Sequence, residues 1–154
     1  MSEWINNDGL LVRYGLDQGV RGDKAGVTTG AGKERELVAT ITLTGAARTT
    51  YTADLNNDGT DDGFTGMDNP IPANALIQGF DIVTIETPAG GTNYTLGTFQ
   101  KAGTAIDADG IRVTAGTAGA QVGTVIAQDG YLAAVTTGTY TAGIIQVVVR
   151  YVTV

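Results

Sequence analysis

The sequence predicts an all-β protein: an antiparallel β-sandwich, jelly-roll-like, with an N-terminal arm. Three observations support this fold. The length of 154 residues corresponds to one domain that can bury a substantial core. The 23 glycines follow no three-residue period, so they indicate many turns rather than a fibrous repeat. Runs rich in Val, Ile and Thr alternate with these turn residues, as is typical of short strands in a sandwich.

The first 33 residues are predicted to form an arm and a glycine-rich linker. Asp8-Gly9 indicates a turn before a short strand, and residues 18–33 are rich in glycine without any packing pattern. The aromatic side chains of the arm either close one end of the protein's own core or anchor the arm on a partner. The predicted contact residues are Trp4, Leu10, Val12 and Tyr14.

Residues 34–154 are predicted to form the sandwich domain, and its first strands lie near residue 40. Residues 34–44 alternate with a period of two, which predicts a half-buried strand. Residues 49–55 are a second candidate strand. The side chains predicted to share the inward face of the first strand are Leu37, Ala39, Ile41 and Leu43.

The middle of the chain contains two apolar runs, 75–86 and 93–100, on either side of the turn-forming segment 88–91. The apolar residues of the first run fall on both faces, which predicts a strand in the middle of the sandwich. A third short run, 111–113, follows Asp107-Ala108-Asp109-Gly110. That tetrapeptide is predicted to be a turn, and the one short helical turn that the sequence allows would follow it.

The last third of the chain predicts a hairpin and a terminal strand. Asp129-Gly130 separates the apolar runs 122–128 and 131–137, and this dipeptide is the strongest short hairpin signal. A two-residue turn would place Gln128 opposite Tyr131. Residues 144–154 form the longest β-branched run, and we expect them to lie deep in a sheet. The side chains predicted to share one face of this strand are Ile145, Val147, Val149 and Tyr151.

Four short motifs occur in a characteristic order: 4–10 with 12–15, then 71–77, then 103–110, and finally 140–143 before the last strand. In this order the chain resembles small structural proteins of tailed bacteriophage virions. The resemblance implies a capsid decoration, or cement, protein that binds the major capsid protein on the outer surface of the shell and stabilises it. It also implies a homotrimer, and it carries over no catalytic residues.

Composition narrows the functional classes further. The formal charge of −7 disfavours binding to nucleic acid and suits the exterior of a capsid. The start of the chain lacks the pattern of a signal peptide, and no apolar run approaches the roughly 20 residues that span a bilayer. We therefore expect a protein that is made in the host cytoplasm, does not enter a membrane and ends on the virion.

Catalysis is not expected. The chain has no His, no Cys and a single Ser, which excludes serine and cysteine triads and zinc sites built on His or Cys. Carboxylate pairs of the kind that glycosidases use remain formally available. The candidates are Asp107 with Asp109 and Asp81 with Glu86, and each is more simply explained as a turn residue or a solvated strand residue.

One acidic loop has the spacing of a calcium-binding loop. Its oxygen-bearing residues occupy positions one, three, five, seven and nine, and Gly59 supplies the turn at position six. Position twelve carries Thr65 instead of the usual bidentate acid, which weakens binding. The alternative is an acidic surface turn whose Asn, Asp and Gly serve geometry alone. The candidate ligands are Asp54, Asn56, Asp58, Thr60 and Asp62.

The calcium interpretation leads to a second functional hypothesis. A calcium-stabilised carbohydrate-binding or adhesion module, on a tail fibre or spike, would use the same β-sandwich. Such a module needs exposed aromatic rings in a groove, and the chain offers one Trp and six Tyr.

Overall fold

The computed structural model describes residues 4–5, 11–12, 34–43, 49–54 and 63–154. These residues form antiparallel strands and one short helix, which confirms the predicted all-β sandwich; the jelly-roll connectivity stays a prediction. The elements in chain order are β1 (Trp4–Ile5), β2 (Leu11–Val12), β3 (Glu34–Thr42), β4 (Thr50–Thr52), α1 (Gly63–Gly66), β5 (Ala75–Ala89), β6 (Asn93–Phe99), β7 (Ala105–Thr114), β8 (Thr117–Ala118), β9 (Tyr131–Thr137) and β10 (Ala142–Thr153).

The chain divides into two units, Met1–Glu34 and Arg35–Val154. In the first unit, β1 and β2 pair antiparallel, with Trp4 opposite Val12. The second unit is built on two sheets. One has three strands in the order β3-β10-β5, and the other has five in the order β4-β9-β6-β7-β8. The alternation of apolar and polar residues along these strands places one face of each sheet against the core.

The core confirms the predicted periodicity of β3 and β10. Leu37, Ala39, Ile41 and Leu43 are buried, whereas Val38, between them, is 46% exposed. On β10, the central strand of its sheet, alternate side chains are fully buried in the same way. Those side chains are Ile145, Val147 and Val149. The five-stranded sheet contributes Leu96, Ile111, Leu132 and Ala134 to the same cluster.

Strand β5 does not lie in the middle of the sandwich as predicted, because β10 occupies the centre of the three-stranded sheet and β5 forms its edge. A register shift lies between Ile77, opposite Tyr151, and Gly79, opposite Arg150. A bulge of this kind moves the following side chains to the other face. It explains why the apolar residues of the run seem to lie on both faces: Ile77 is buried before the bulge, and Phe80 packs against the core after it.

The predicted hairpin at Asp129-Gly130 is wrong. Residues 122–128 form no extended strand, and neither turn residue has the positive φ that the predicted turn requires. Instead, β9 pairs with β4 on one side and β6 on the other, so no edge is left for a hairpin partner. Asp129 accepts a hydrogen bond from the Ala73 backbone N–H at 2.8 Å, and Gly130 bridges to Ile71.

The predicted turn at residues 107–110 is also wrong, because these residues lie inside β7. Leu96 pairs with Arg112 but Thr98 pairs with Asp107, so Gly97 alone spans the four residues 108–111 of β7. The extra residues bulge over Gly97, where an added Cβ would lie 2.0 Å from the Asp107 carbonyl oxygen. Among the described residues, the only helical turn is α1, which precedes β5 instead of following residue 110.

Candidate interaction surface

The predicted arm contacts lie mostly beyond what the structure describes. Trp4 and Val12 are paired positions in the register of β1 and β2. Leu10 and Tyr14 lie outside the described residues. The assignment of these four residues to an interface therefore stays a prediction.

Of the five candidate ligands in the predicted calcium loop, the structure describes Asp54 only. Asp54 is buried, and its backbone N–H donates to the Thr40 carbonyl oxygen at 2.7 Å, which ties the start of the loop to β3. Asn56, Asp58, Thr60 and Asp62 lie outside the described residues. No group of three or more acidic side chains gathers within the described ranges. Calorimetric titration with Ca²⁺ remains the test of this loop.

The two candidate carboxylate pairs have different environments. Asp107 and Asp109 lie together in the β7 bulge, where the Asp109 backbone N–H donates to Asp107 Oδ1 at 3.4 Å. Burial raises the pKa of Asp107, and the neighbouring Asp109 carboxyl raises it further. Asp81 instead forms an ion pair with Arg150, and this contact raises the pKa of Arg150. Glu86 is not part of that ion pair.

The most distinctive surface in the described structure is the outer edge of β5. Its start is covered, because Leu76 bridges to Val125 and the Ile77 backbone N–H donates to the Thr124 carbonyl oxygen at 3.1 Å. From residue 78 to residue 87, no strand of the described chain pairs with this edge. The backbone groups that point away from β10 there pair with none of the described strands, as at the edge of a sheet.

This free edge also carries apolar side chains. Val83 is 53% exposed and Ile85 is 58% exposed, and both lie in the unpaired half of β5. Natural proteins usually protect such an edge with charge, proline or a covering loop. Here Asp81 and Glu86 are the acidic residues along it, and Pro88 lies only at its end. We call residues 78–87 the free edge of β5.

A cavity of about 460 Å³ opens beside the free edge, between β5 and the β7–β8 side of the five-stranded sheet. Its wall combines aromatic, aliphatic and glycine residues with the polar residues Asp81 and Thr84 and one cationic residue. The principal lining residues are Phe80, Ile82, Tyr94, Arg112, Gly116 and Ala118.

Arg112 is the residue of this cavity that the sequence analysis missed. Its side chain is only 6% exposed. The guanidinium carbon lies 3.9 Å from the centroid of the Tyr94 ring, and Nη1 donates to the Tyr94 carbonyl oxygen. The Tyr94 ring in turn meets Tyr140 edge-on, with centroids 6.3 Å apart. Burial is the main cause that raises the pKa of Tyr140.

A signal for Arg112 was present in the sequence, as a cation between Ile111 and Val113 in a β-branched run. Strict alternation would send that cation to solvent while its neighbours face the core. The bulge in β7 breaks the alternation, and Ile111 and Arg112 are both buried.

Comparison with known proteins assigns this chain to no family. No family model and no curated protein matches the chain. Among solved structures, the chain is similar to a chain of the cyanophage Pam1 capsid asymmetric unit, with 17% sequence identity and a TM-score of 0.49. The match covers 88% of this chain and 95% of that one. A similarity at this level assigns no function. The described part of the chain contains no helix with the length and hydropathy of a transmembrane span.

Proposed function

We propose that this protein is a virion structural protein, and specifically a capsid decoration protein that binds the outer surface of a phage shell. The observation that carries the proposal is the free edge of β5, where Val83 and Ile85 are exposed beside backbone groups that pair with no described strand. An edge of this length and polarity favours coverage by another protein chain. The four sequence motifs resemble those of phage virion proteins, so we place the partner chain in a phage capsid.

The proposed mechanism is mechanical and involves no catalysis. A stiff sandwich that contacts several capsid subunits adds interface area that must be broken before those subunits separate. An interface of standard size buries about 1,600 Å² in total. The stabilisation of the shell would come from this added burial, and the major capsid protein is the partner.

The N-terminal arm is proposed as a second contact. Trp4, Leu10, Val12 and Tyr14 would dock on the capsid protein or on a neighbouring copy, since buried aromatic anchors dominate interface energies. We also propose a homotrimer, because three copies around a local threefold axis would cover the junctions between subunits.

Deletion of residues 1–18 tests the arm. We expect the truncated protein to stay folded. It should no longer co-sediment with purified capsids from which the full-length protein is absent. Full binding by the truncated protein would refute the arm contact.

Substitution on the free edge tests whether this edge binds the capsid. Ile85→Lys places a charge on the edge without touching the core, so the free energy of unfolding should change by no more than about 0.5 kcal/mol. Binding to capsids should fall by at least about tenfold, which corresponds to roughly 1.4 kcal/mol.

The matched control is Val38→Lys on β3, at the opposite side of the same sheet, where a valine is 46% exposed. This variant should bind as the unmodified protein does. Equal binding by all three proteins would contradict a role for the free edge.

A further inference from the structure

Arg112 is a buried cation without a buried anion beside it. In the described part of the chain the ion pairs are Lys101 with Asp68 and Arg150 with Asp81, and Arg112 belongs to neither. Its guanidinium carries five N–H donors, and its one hydrogen bond goes to the Tyr94 carbonyl oxygen. Placing a cation out of water without an anion costs free energy that stacking on one ring offsets only in part.

The cavity gives that cation access to a ligand. Arg112 lines it together with the apolar residues Phe80 and Ile82, and Ala118 lies directly opposite Arg112 in the β7–β8 register. Asp81 also borders the cavity, but its carboxylate is bound to Arg150. The space is open to solvent, and its wall combines apolar residues with Asp81, Thr84 and the guanidinium of Arg112, whose remaining N–H donors can bind an anion.

We propose that this cavity binds a monoanionic carboxylate carried on a short aliphatic stem, with Arg112 as the residue that binds the carboxylate. A guanidinium and a carboxylate form two parallel hydrogen bonds, which is the strongest pairing that this group makes. The stem would lie against Phe80, Ile82 and Ala118. The cavity adjoins the free edge of β5, but the binding proposed here is tested on the isolated protein and does not require the proposed role in a capsid.

Charge favours a carboxylate over a phosphate. The chain has a formal charge of −7, and Arg112 is the only cation that lines the cavity among the described residues. A dianion would need a second positive group to offset the repulsion of such a protein. A carboxylate brings one negative charge, which a single guanidinium neutralises.

The ligand has two possible sources with the same chemistry: a free short-chain carboxylic acid, or the side chain of Asp or Glu in another protein. The second source fits the location, because residues 80–82 and Thr84 line the cavity and also belong to the free edge of β5. A strand that pairs with that edge would bring alternate side chains to the cavity mouth.

Nuclear magnetic resonance of the full-length protein labelled with ¹⁵N tests the site through the Nε–Hε signal of Arg112. Sodium propionate should shift this signal saturably, and neutral propionamide should bind at least about tenfold more weakly. The signal of Arg150, which is exposed and already paired, is the internal control and should not saturate. Equal binding of propionate and propionamide, or no saturable shift with propionate, would overturn the proposal.

A cavity-filling variant separates binding from folding. Ala118→Leu should abolish the propionate-dependent shift while the backbone spectrum stays that of a folded protein, because Ala118 lies on an exposed edge strand. Ala127→Leu, at an exposed alanine that does not line this cavity, should bind propionate normally. Undiminished binding by folded Ala118→Leu would place the ligand elsewhere and refute the assignment.

Two peptides distinguish the sources. An extended pentapeptide with a central Glu should bind at least about tenfold more tightly than propionate if the natural ligand is a protein side chain, since it adds strand pairing to the carboxylate contact. Its Gln counterpart should lose that advantage. If the Glu peptide binds no more tightly than propionate, the result supports the free acid as the ligand. In either case, binding must shift the Nε–Hε signal of Arg112.

Discussion

Gly97 and Asp107 are each constrained by neighbours that only the folded chain brings close. Gly97 is conspicuous because the β7 bulge lies directly over its Cα, where backbone atoms of Asp107 and Ala108 leave no space for a side chain. Burial in that bulge, and then the neighbouring Asp109 carboxyl, raise the pKa of Asp107. Each of these two effects predicts the outcome of a single substitution.

Gly97→Ala should destabilise the protein by about 1–3 kcal/mol, because an added Cβ would lie 2.0 Å from the Asp107 carbonyl oxygen and the backbone must shift. Urea denaturation measures the change. Gly79→Ala is the control, since its nearest neighbour is the flexible end of Arg150 at 3.2 Å. We expect less than about 1 kcal/mol there, and an equal loss in both variants would contradict the packing argument.

Asp107→Asn should remove a pH-dependent penalty. Since folding raises the pKa of Asp107 above its ordinary value of 3.8, the folded state binds the proton more tightly than the unfolded state. Asp107 therefore contributes most to the free energy of unfolding below pH 3.8. This contribution is lost as the pH rises from there through the raised pKa of the folded state.

The Asn variant should consequently be more stable than the unmodified protein at neutral pH, by less than about 1 kcal/mol because the site is largely solvated. The difference should shrink below pH 3.8, as urea denaturation at a series of pH values would show. A stability difference that does not vary with pH would contradict the raised pKa as its cause.

At the scale of elements, the strands differ in how much their own sequences reveal. The alternation in β3 and β10 matches their burial, because each is regular through its core-facing stretch. Strands β5 and β7 contain bulges, so their alternation breaks; β5 was predicted in the middle of the sandwich, and part of β7 was predicted as a turn. The free edge of β5 is a consequence of sheet order, which no local pattern encodes.

Two adjacent valines of β10 provide a matched test of which face of this strand is buried. Val147 is fully buried, and Val148 lies on the other face and is partly exposed. Val147→Ala should cost about 2 kcal/mol through lost apolar burial and the cavity left behind. Val148→Ala should cost less than about 1 kcal/mol, and similar losses measured by urea denaturation would mean that the two faces are not distinguished as described.

At the scale of the whole molecule, the buried cluster belongs to the second unit and extends from Leu37 to Val149. Both sheets contribute to it, which makes cooperative unfolding of residues 35–154 the physical expectation. The division of the chain into an arm with its linker, 1–33, and a sandwich domain, 34–154, is a proposal that follows from this distribution.

Deletion of residues 1–33 tests that proposal. The remaining protein should unfold in one cooperative thermal transition, with a melting temperature within about 5 °C of the full chain, because every core residue that the structure describes is retained. Differential scanning calorimetry measures this directly. Loss of the transition would show that the first 33 residues are part of the folded core.

Local sequence was sufficient for the fold class and for the strands with unbroken alternation, such as β3 and β10, because a period of two is a property of the chain itself. It was insufficient for the fate of Asp129-Gly130, since pairing of β9 with β4 and β6 removes the edge that a hairpin would need. The free edge of β5 and the burial of Arg112 depend on sheet order and on bulges, which arise from competition among strands for partners. Only the tertiary structure decides that competition.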